Sequence, residues 1–157
     1  MIVSEKKVRI YGPESVVLLI WSLLGKDDEF TRDQEHFYVV GLNGNHVSIY
    51  CELVTLGLAN RTLVHPREVF RRAVSRGATA IIAVHNHPSG NIEPSADDRI
   101  ITNQLKEAGE IIGINLLDHI IVDNCQGAFR SFSNEPWPPP PVKTVKKKKQ
   151  ATKSRAK

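Results

Sequence analysis

Two histidines, a serine and an aspartate lie within fourteen residues of one another in the middle of this chain. His85 and His87 are separated by one residue, and Ser95 and Asp98 follow the second histidine after seven and ten intervening residues. Two imidazoles and one carboxylate form a ligand set of catalytic zinc sites, in which the fourth position is left to water. Bound zinc lowers the pKa of that water to about 7, which makes it a nucleophile at neutral pH. The spacing therefore predicts a metal site suited to hydrolysis.

A buried strand and the helix that follows it must position these residues. The apolar run 80–84 is bounded by glycine and proline, which favours a central strand. Side chains alternate along a strand, so both histidines are expected to project from the same face. The next helix is predicted to begin after Ser95, its N-cap, with Asp97 and Asp98 in the first turn. We expect Asp98 to be the third ligand and Asp97 to interact with the helix dipole.

Hydrolysis also needs a donor for the oxyanion and a base for the attacking water. The N-cap hydroxyl is a candidate donor, because its oxygen can accept from the backbone while its proton points elsewhere. Glu52 is the candidate base, on a strand where its side chain is expected to point away from those of Ile49 and Cys51. Periodicity alone does not select Glu52 over Glu68 or Glu93, so these alternatives stay open.

Helical and strand periodicities alternate along the rest of the chain, which predicts a mixed α/β domain. A sharp turn is expected at Asn43-Gly44, and Gly113 is expected to end the long helix. Helices are predicted at 13–24, 66–76 and 96–112, and strands at 7–10, 37–42, 47–57, 63–64, 80–84, 115–122 and 128–132.

The C-terminal segment 134–157 differs in composition from the body. It contains a proline run and eight of the 21 basic residues but one acidic residue, which leaves the body with a net charge of −3. Such a segment buries little apolar surface and is predicted to be disordered. It could serve as an arm for nucleic acid or simply as a solubilising tail, and its composition does not decide between them.

The chain shows no secretory signal, and its N-terminal apolar run is too short to span a membrane. Cys51 and Cys125 form no CxxC pair and are expected to be small buried apolar residues. These features favour a cytosolic protein with no membrane partner.

The pattern His-x-His-Pro followed by Ser-x-x-Asp, with a glutamate upstream, resembles the JAMM motif of JAB/MPN+ metalloproteases. The segments LVHPREVF, AIIAVHNHPSG, PSADDRI and LLDHIIV resemble the RadC family more narrowly. The resemblance covers about residues 31–133, so we expect an extension at 1–30, a RadC-like JAB/MPN domain at 31–133 and the tail at 134–157. It implies a curved mixed β-sheet flanked by helices, similar to the cytidine-deaminase architecture.

The same resemblance implies roles for individual residues. His85, His87 and Asp98 would bind Zn2+, Glu52 would be the general acid/base, and Ser95 would stabilise the oxyanion. The implied activity is cleavage of an amide or isopeptide bond in a peptide substrate. RadC proteins have also long been labelled as DNA repair proteins, so the alternative is a nucleic-acid-associated accessory protein with a structural or otherwise used metal. Asp118 and His119, in the LLDHIIV segment, could orient a ligand or hold structural strand positions.

Overall fold

The computed structural model describes residues 1–24, 34–57, 64–124 and 127–134. Within these ranges, six strands form one mixed sheet with α-helices on both faces, which confirms the mixed α/β class. The strands are β1 Ile2–Ser4, β2 Glu35–Leu42, β3 Ser48–Gly57, β4 Ala80–His87, β5 Asn115–Asp123 and β6 Phe129–Ser131. The helices are α1 Pro13–Leu24, α2 Pro66–Ser75 and α3 Ala96–Ile112, and a 3₁₀ turn covers Phe132–Asn134. None of these helices has the length and apolar character needed to cross a membrane.

The strand that carries the histidine pair lies in the middle of the sheet. The order is β1-β3-β2-β4-β5-β6, with β4 antiparallel to β2 and parallel to β5. Its apolar run 80–84 is buried, as the sequence predicts for a central strand. Because β4 and β5 are parallel, their C-terminal ends lie at the same edge of the sheet, next to each other.

Alternation along β4 separates two apolar clusters. Ile82 and Val84 pack on the α1 face, whereas Ile81 and Ala83 pack on the face covered by α2 and α3. Burying the side chain of Ile81, Ile82 or Val84 contributes about 1.5–3 kcal/mol each to the free energy of unfolding. His85 continues the row of Ile81 and Ala83, so the same alternation directs it toward the α3 face.

The close packing of α3 against α2 and against the residue before β5 depends on a glycine. A Cβ at Gly109 would lie 2.5 Å from the backbone oxygen of Ile114 and 3.2 Å from the ring of Phe70. Gly113 then ends the helix with a left-handed φ of 79°, as the sequence predicts. These contacts fix the axis of the helix whose first turn contributes to the site.

Three predictions about strands are wrong in detail. The edge strand is Ile2–Ser4 rather than 7–10, where Arg9 forms an isolated bridge with Val47. Val64 precedes α2 without forming a strand, and the other half of that predicted strand, residue 63, lies outside the described residues. β3 also contains a bulge that the sequence pattern did not predict. Gly41 of β2 pairs with Tyr50, but Leu42 pairs with Ser48, so Ile49 has no partner on β2.

The bulge at Ile49 changes which side chains share a face. Ile49 packs on the α2 and α3 side, whereas Cys51 belongs to the cluster on the α1 side. The expectation that these two side chains lie together is therefore wrong, since a bulge interrupts strict alternation. Glu52 still points away from Cys51, as expected, because its carboxylate contacts Arg72 of α2.

Candidate metal centre

The end of β4 is held in place from the face opposite to the histidines. The Asn86 side chain accepts from the backbone N–H of His36 at 2.6 Å and donates to Asn124 Oδ1 at 2.7 Å and to the backbone oxygen of Gln34 at 3.1 Å. Asn86 is fully buried, so these bonds satisfy an amide that would otherwise be costly to bury. They fix the strand end from which His85 and His87 project.

The first turn of α3 holds a carboxylate by a reciprocal cap. Ser95 Oγ accepts from the backbone N–H of Asp98 at 3.1 Å, and the backbone N–H of Ser95 donates to Asp98 Oδ2 at 2.7 Å. The Ser95 hydroxyl also lies 2.6 Å from Asp98 Oδ2, to which it donates. Ser95 is thus the N-cap of a capping box, and Asp98 is its partner. Asp97 is exposed beside it.

The structure brings His85, His87 and Asp98 together. Nε2 of His85 lies 3.0 Å from Nε2 of His87 and 3.1 Å from Asp98 Oδ1, and His87 Nε2 lies 3.4 Å from Asp98 Oδ2. In a tetrahedral zinc site with bonds of about 2.0–2.1 Å, neighbouring ligand atoms are about 3.3 Å apart. The three side chains therefore offer a donor set of the kind and spacing that a metal ion such as zinc requires.

The outer nitrogens of both imidazoles have partners. Nδ1 of His87 contacts the backbone oxygen of Asn91, which only accepts, so His87 carries a proton on Nδ1, and in the neutral ring the lone pair of Nε2 can bind a metal ion. Nδ1 of His85 lies 2.8 Å from Nε2 of His119. Outer partners of this kind orient metal-binding histidines.

The electrostatics favour an ionised carboxylate beside the two rings. Burial raises the pKa of Asp98, but the adjacent imidazoles of His85 and His87 and the hydrogen bond from Ser95 outweigh it and hold that pKa well below its usual range. The Asp98 carboxylate raises the pKa of His87. Burial lowers the pKa of His119 well below its ordinary value, with a further contribution from His85, so His119 is neutral. The site thus holds one negative charge that a cation can neutralise.

Glu52 lies on the same face of the sheet but outside the histidine cluster. It pairs with Val39 of β2, which pairs with Ala83 of β4, two residues before His85. Strand spacings place the Cα atoms of Glu52 and His85 roughly 12 Å apart. The Glu52 carboxylate instead contacts Arg72 at 3.3 Å and the Met1 amine at 3.6 Å, while its buried Oε2 has no hydrogen-bond partner.

The two alternative glutamates have different surroundings. Glu93 pairs with Arg130 at 2.5 Å, and its side chain is 65% exposed. Glu68 lies in the first turn of α2 and is half-buried. Of the three candidates, Glu52 is the buried one, with 2% of its surface exposed.

The sequence did not identify three residues that the structure places around the candidate site. Asn91, Thr102 and Arg72 contact His87, His119 and Glu52, respectively. Thr102 is a single polar residue on the buried side of a helix, and Asn91 contacts His87 through its backbone oxygen. Their residue types therefore give no indication in the sequence that they lie near the site. Asp118 does not join the cluster, because its carboxylate accepts from Ser131 and Ser133.

A mixed sheet with a His-His-Asp group between its central strand and the next helix defines a JAB-type α/β domain with a candidate metal site. A family model described as "RadC-like JAB domain" matches residues 10–137. The chain therefore belongs to the RadC-like JAB domain family, as the resemblance implied.

Curated relatives share the UPF0758 name. The chain is 48% identical over 120 residues to a UPF0758 protein of Methanospirillum hungatei, covering 75% of this chain and 51% of that protein. It is 41% identical over 122 residues to one from Listeria innocua, covering 78% and 52%, respectively. It is also 41% identical over 118 residues to one from Picosynechococcus, covering 75% and 46%. The chain thus spans about half the length of these relatives.

The division at residues 30 and 31 and the predicted disorder of the tail stay predictions. Residues 135–157, which make up nearly all of the basic tail predicted at 134–157, lie outside the described residues, as does Cys125. Cys51 is buried in the α1-side cluster, in agreement with its predicted apolar role.

Proposed function

We propose that this protein is a zinc-dependent hydrolase that cleaves amide or isopeptide bonds in a peptide substrate. The observation that carries the proposal is the convergence of His85 Nε2, His87 Nε2 and the Asp98 carboxylate. Both histidines belong to one strand end and the aspartate to the next helix, so the ligands are held by rigid elements. Two nitrogen ligands and one oxygen ligand leave a fourth position open, as in catalytic rather than structural zinc sites. Bound zinc would supply a nucleophile near neutral pH and polarise the scissile carbonyl.

Glu52 is the proposed general acid/base. Its Oε1 is held by Arg72, whereas its Oε2 is buried without a partner. A buried carboxylate oxygen without a donor costs free energy, which fits a group that accepts a proton from the attacking water. Glu52 would then pass that proton to the leaving amine.

Ser95 is the proposed donor to the oxyanion. Its hydroxyl proton is directed to Asp98 Oδ2, which also accepts from the backbone N–H of Ser95. The hydroxyl can therefore turn toward a substrate oxygen while Asp98 keeps its backbone donor. Ser95 Oγ can still accept from the backbone of Asp98, so capping and catalysis are compatible in this geometry.

The proposed partner is a peptide or isopeptide substrate, and a cytosolic location is part of the proposal.

Metal analysis combined with turnover tests the proposal. We expect one zinc per chain, bound by His85, His87 and Asp98, and turnover of a peptide or isopeptide in a panel of model substrates. Glu52→Gln should retain zinc and lower turnover by about 10²–10⁴-fold. Glu93→Gln is the matched control and should leave both unchanged. Zinc-loaded protein that cleaves no member of the panel, or equal turnover by the Glu52→Gln variant, would contradict the proposal.

A further inference from the structure

A buried histidine on β5 connects a candidate metal ligand to a helix hydroxyl. Nε2 of His119 lies 2.8 Å from Nδ1 of His85, and Nδ1 of His119 lies 2.5 Å from Oγ1 of Thr102. The same Oγ1 lies 2.5 Å from the backbone oxygen of Asp98. The chain of contacts therefore starts at one candidate ligand residue and ends at the backbone of another.

The number of available protons sets the direction of each hydrogen bond. The carbonyl oxygen of Asp98 only accepts, so Thr102 donates its single hydroxyl proton to it. Thr102 Oγ1 is then the acceptor for His119, which must carry its proton on Nδ1. A neutral His119 accepts at Nε2, and His85 donates from Nδ1. In a neutral His85 ring the lone pair of Nε2 then faces His87 and Asp98, where a metal ion would bind.

Packing prevents these side chains from rearranging. His85, Thr102 and His119 are at most 1% exposed. The His119 ring stacks on the Phe132 ring, with centroids 5.1 Å apart. On another side it contacts the Phe37 ring, with centroids 5.6 Å apart. A flipped ring would leave a buried ring nitrogen without its partner, which costs about 1–3 kcal/mol.

We propose that His119 and Thr102 are positioning residues of the metal centre. They form a relay that keeps the proton of His85 on Nδ1 and its Nε2 ready to bind a metal ion. The inference rests on the proposed function, because it assigns both residues to the zinc site. It distinguishes His119 from a structural strand residue, since a structural residue would support stability without controlling the proton position on His85.

Zinc affinity in matched threonine variants tests the relay. Thr102→Val keeps the shape of the side chain but removes the acceptor for His119 Nδ1. A buried N–H at Nδ1 of His119 would then have no acceptor, so the proton of His119 should move to Nε2. His85 Nδ1 must then accept from it, which places the proton of His85 on Nε2, the metal-binding nitrogen. We expect zinc affinity, measured by chelator competition on the full chain, to fall about 10-fold, within the range for outer partners of zinc ligands. Thr102→Ser should restore the affinity to within about 2-fold of wild type.

Thr55→Val is the control for the loss of a buried hydroxyl. Thr55 Oγ1 is buried without a hydrogen-bond partner, and Thr55 and His85 both pair with Phe37. We expect no change in zinc affinity. Equal affinity of the Thr102→Val variant and wild type, or equal losses in the Thr102→Val and Thr55→Val variants, would overturn the proposal.

A second measurement does not depend on zinc. Nitrogen-15 NMR of the metal-free protein should show His85 with its proton on Nδ1 in wild type and in the Thr102→Ser variant, and a changed tautomer in the Thr102→Val variant. If wild-type protein binds no zinc, the proposed function fails. The relay is then judged by these spectra alone, and an unchanged His85 tautomer in the Thr102→Val variant overturns it.

Discussion

The two carboxylates of the proposed site, those of Asp98 and Glu52, differ in how many of their oxygens have hydrogen-bonding or charged partners. In the β4–α3 region, both oxygens of Asp98 contact ring nitrogens, and Oδ2 also accepts from Ser95. In the β2–β3 hairpin, Oε1 of Glu52 contacts Arg72, and Oε2 has no partner. The adjacent imidazoles and the Ser95 hydroxyl lower the pKa of Asp98, whereas in the hairpin burial raises the pKa of Cys51, the neighbour of Glu52, to about 12.

This difference fits the two proposed roles, metal ligand for Asp98 and general base for Glu52. A carboxylate binds a metal in its ionised form, and the groups around Asp98 keep it ionised and hold it in place. A general base has to accept a proton during the reaction, so an oxygen without a donor is an advantage there. The hairpin therefore keeps an unsatisfied atom that the metal region does not, which is the pattern expected where function and stability compete.

The largest expected effect comes from removing the fixed carboxylate. Asp98→Ala should weaken zinc binding by at least about 100-fold, since it removes one of three protein ligands, worth about 3 kcal/mol. Asp97→Ala is the matched control, because Asp97 is the exposed neighbour in the same helical turn. Chelator competition measures both affinities, and a greater loss in the Asp97→Ala variant would reverse the assignment of the ligand.

The next largest effect concerns the ion pair of the hairpin. Arg72→Met should lower the free energy of unfolding by about 2 kcal/mol, because it leaves a buried carboxylate without its guanidinium partner. This figure is below that of a fully buried pair, since the Arg72 side chain is 31% exposed. Arg71→Met, at an exposed position of the same helix, should change it by less than about 0.5 kcal/mol.

A double variant shows whether charge is the cause of that loss. Adding Glu52→Gln to Arg72→Met should recover part of the lost stability in urea denaturation, because the unpaired charge is then gone. Additive losses in the double variant would mean that Arg72 stabilises the fold through packing instead.

The sequence predicted the metal region better than the hairpin, because its chemistry is local. Ser95 as a cap and the alternation that directs His85 toward α3 each depend on a few consecutive residues. The surroundings of Glu52 depend on pairing between strands, and two extra residues, Ile49 and Val54, shift that register. Contacts such as those of Thr102 arise only when α3, β4 and β5 are assembled, so no spacing in the sequence indicates them.

Alkaline titration gives a smaller effect that is specific to the hairpin. Burial and the charge of Glu52 raise the pKa of Cys51 to about 12, whereas an unfolded thiol ionises near about 8.5. Its contribution to stability is therefore complete below about pH 8.5 and is lost as the pH rises toward 12. Between pH 8 and pH 9.5, the stability difference between wild type and Cys51→Ala should shift by about 1.3 kcal/mol in favour of the variant. Urea midpoints at the two pH values measure the shift, and parallel values would show that Cys51 ionises as freely in the fold as in the unfolded chain.

The smallest effect separates the two roles of Ser95. Ser95→Ala removes the N-cap and should lower the free energy of unfolding by about 1 kcal/mol. Ser95→Asn should restore most of that stability, because asparagine caps helices about as well as serine. If the hydroxyl also stabilises the oxyanion, both variants should lose turnover of a model substrate by about 10²–10³-fold while retaining zinc. Recovery of turnover together with stability in the Ser95→Asn variant would mean that Ser95 serves the site by holding the Asp98 carboxylate, with no direct contact to the substrate.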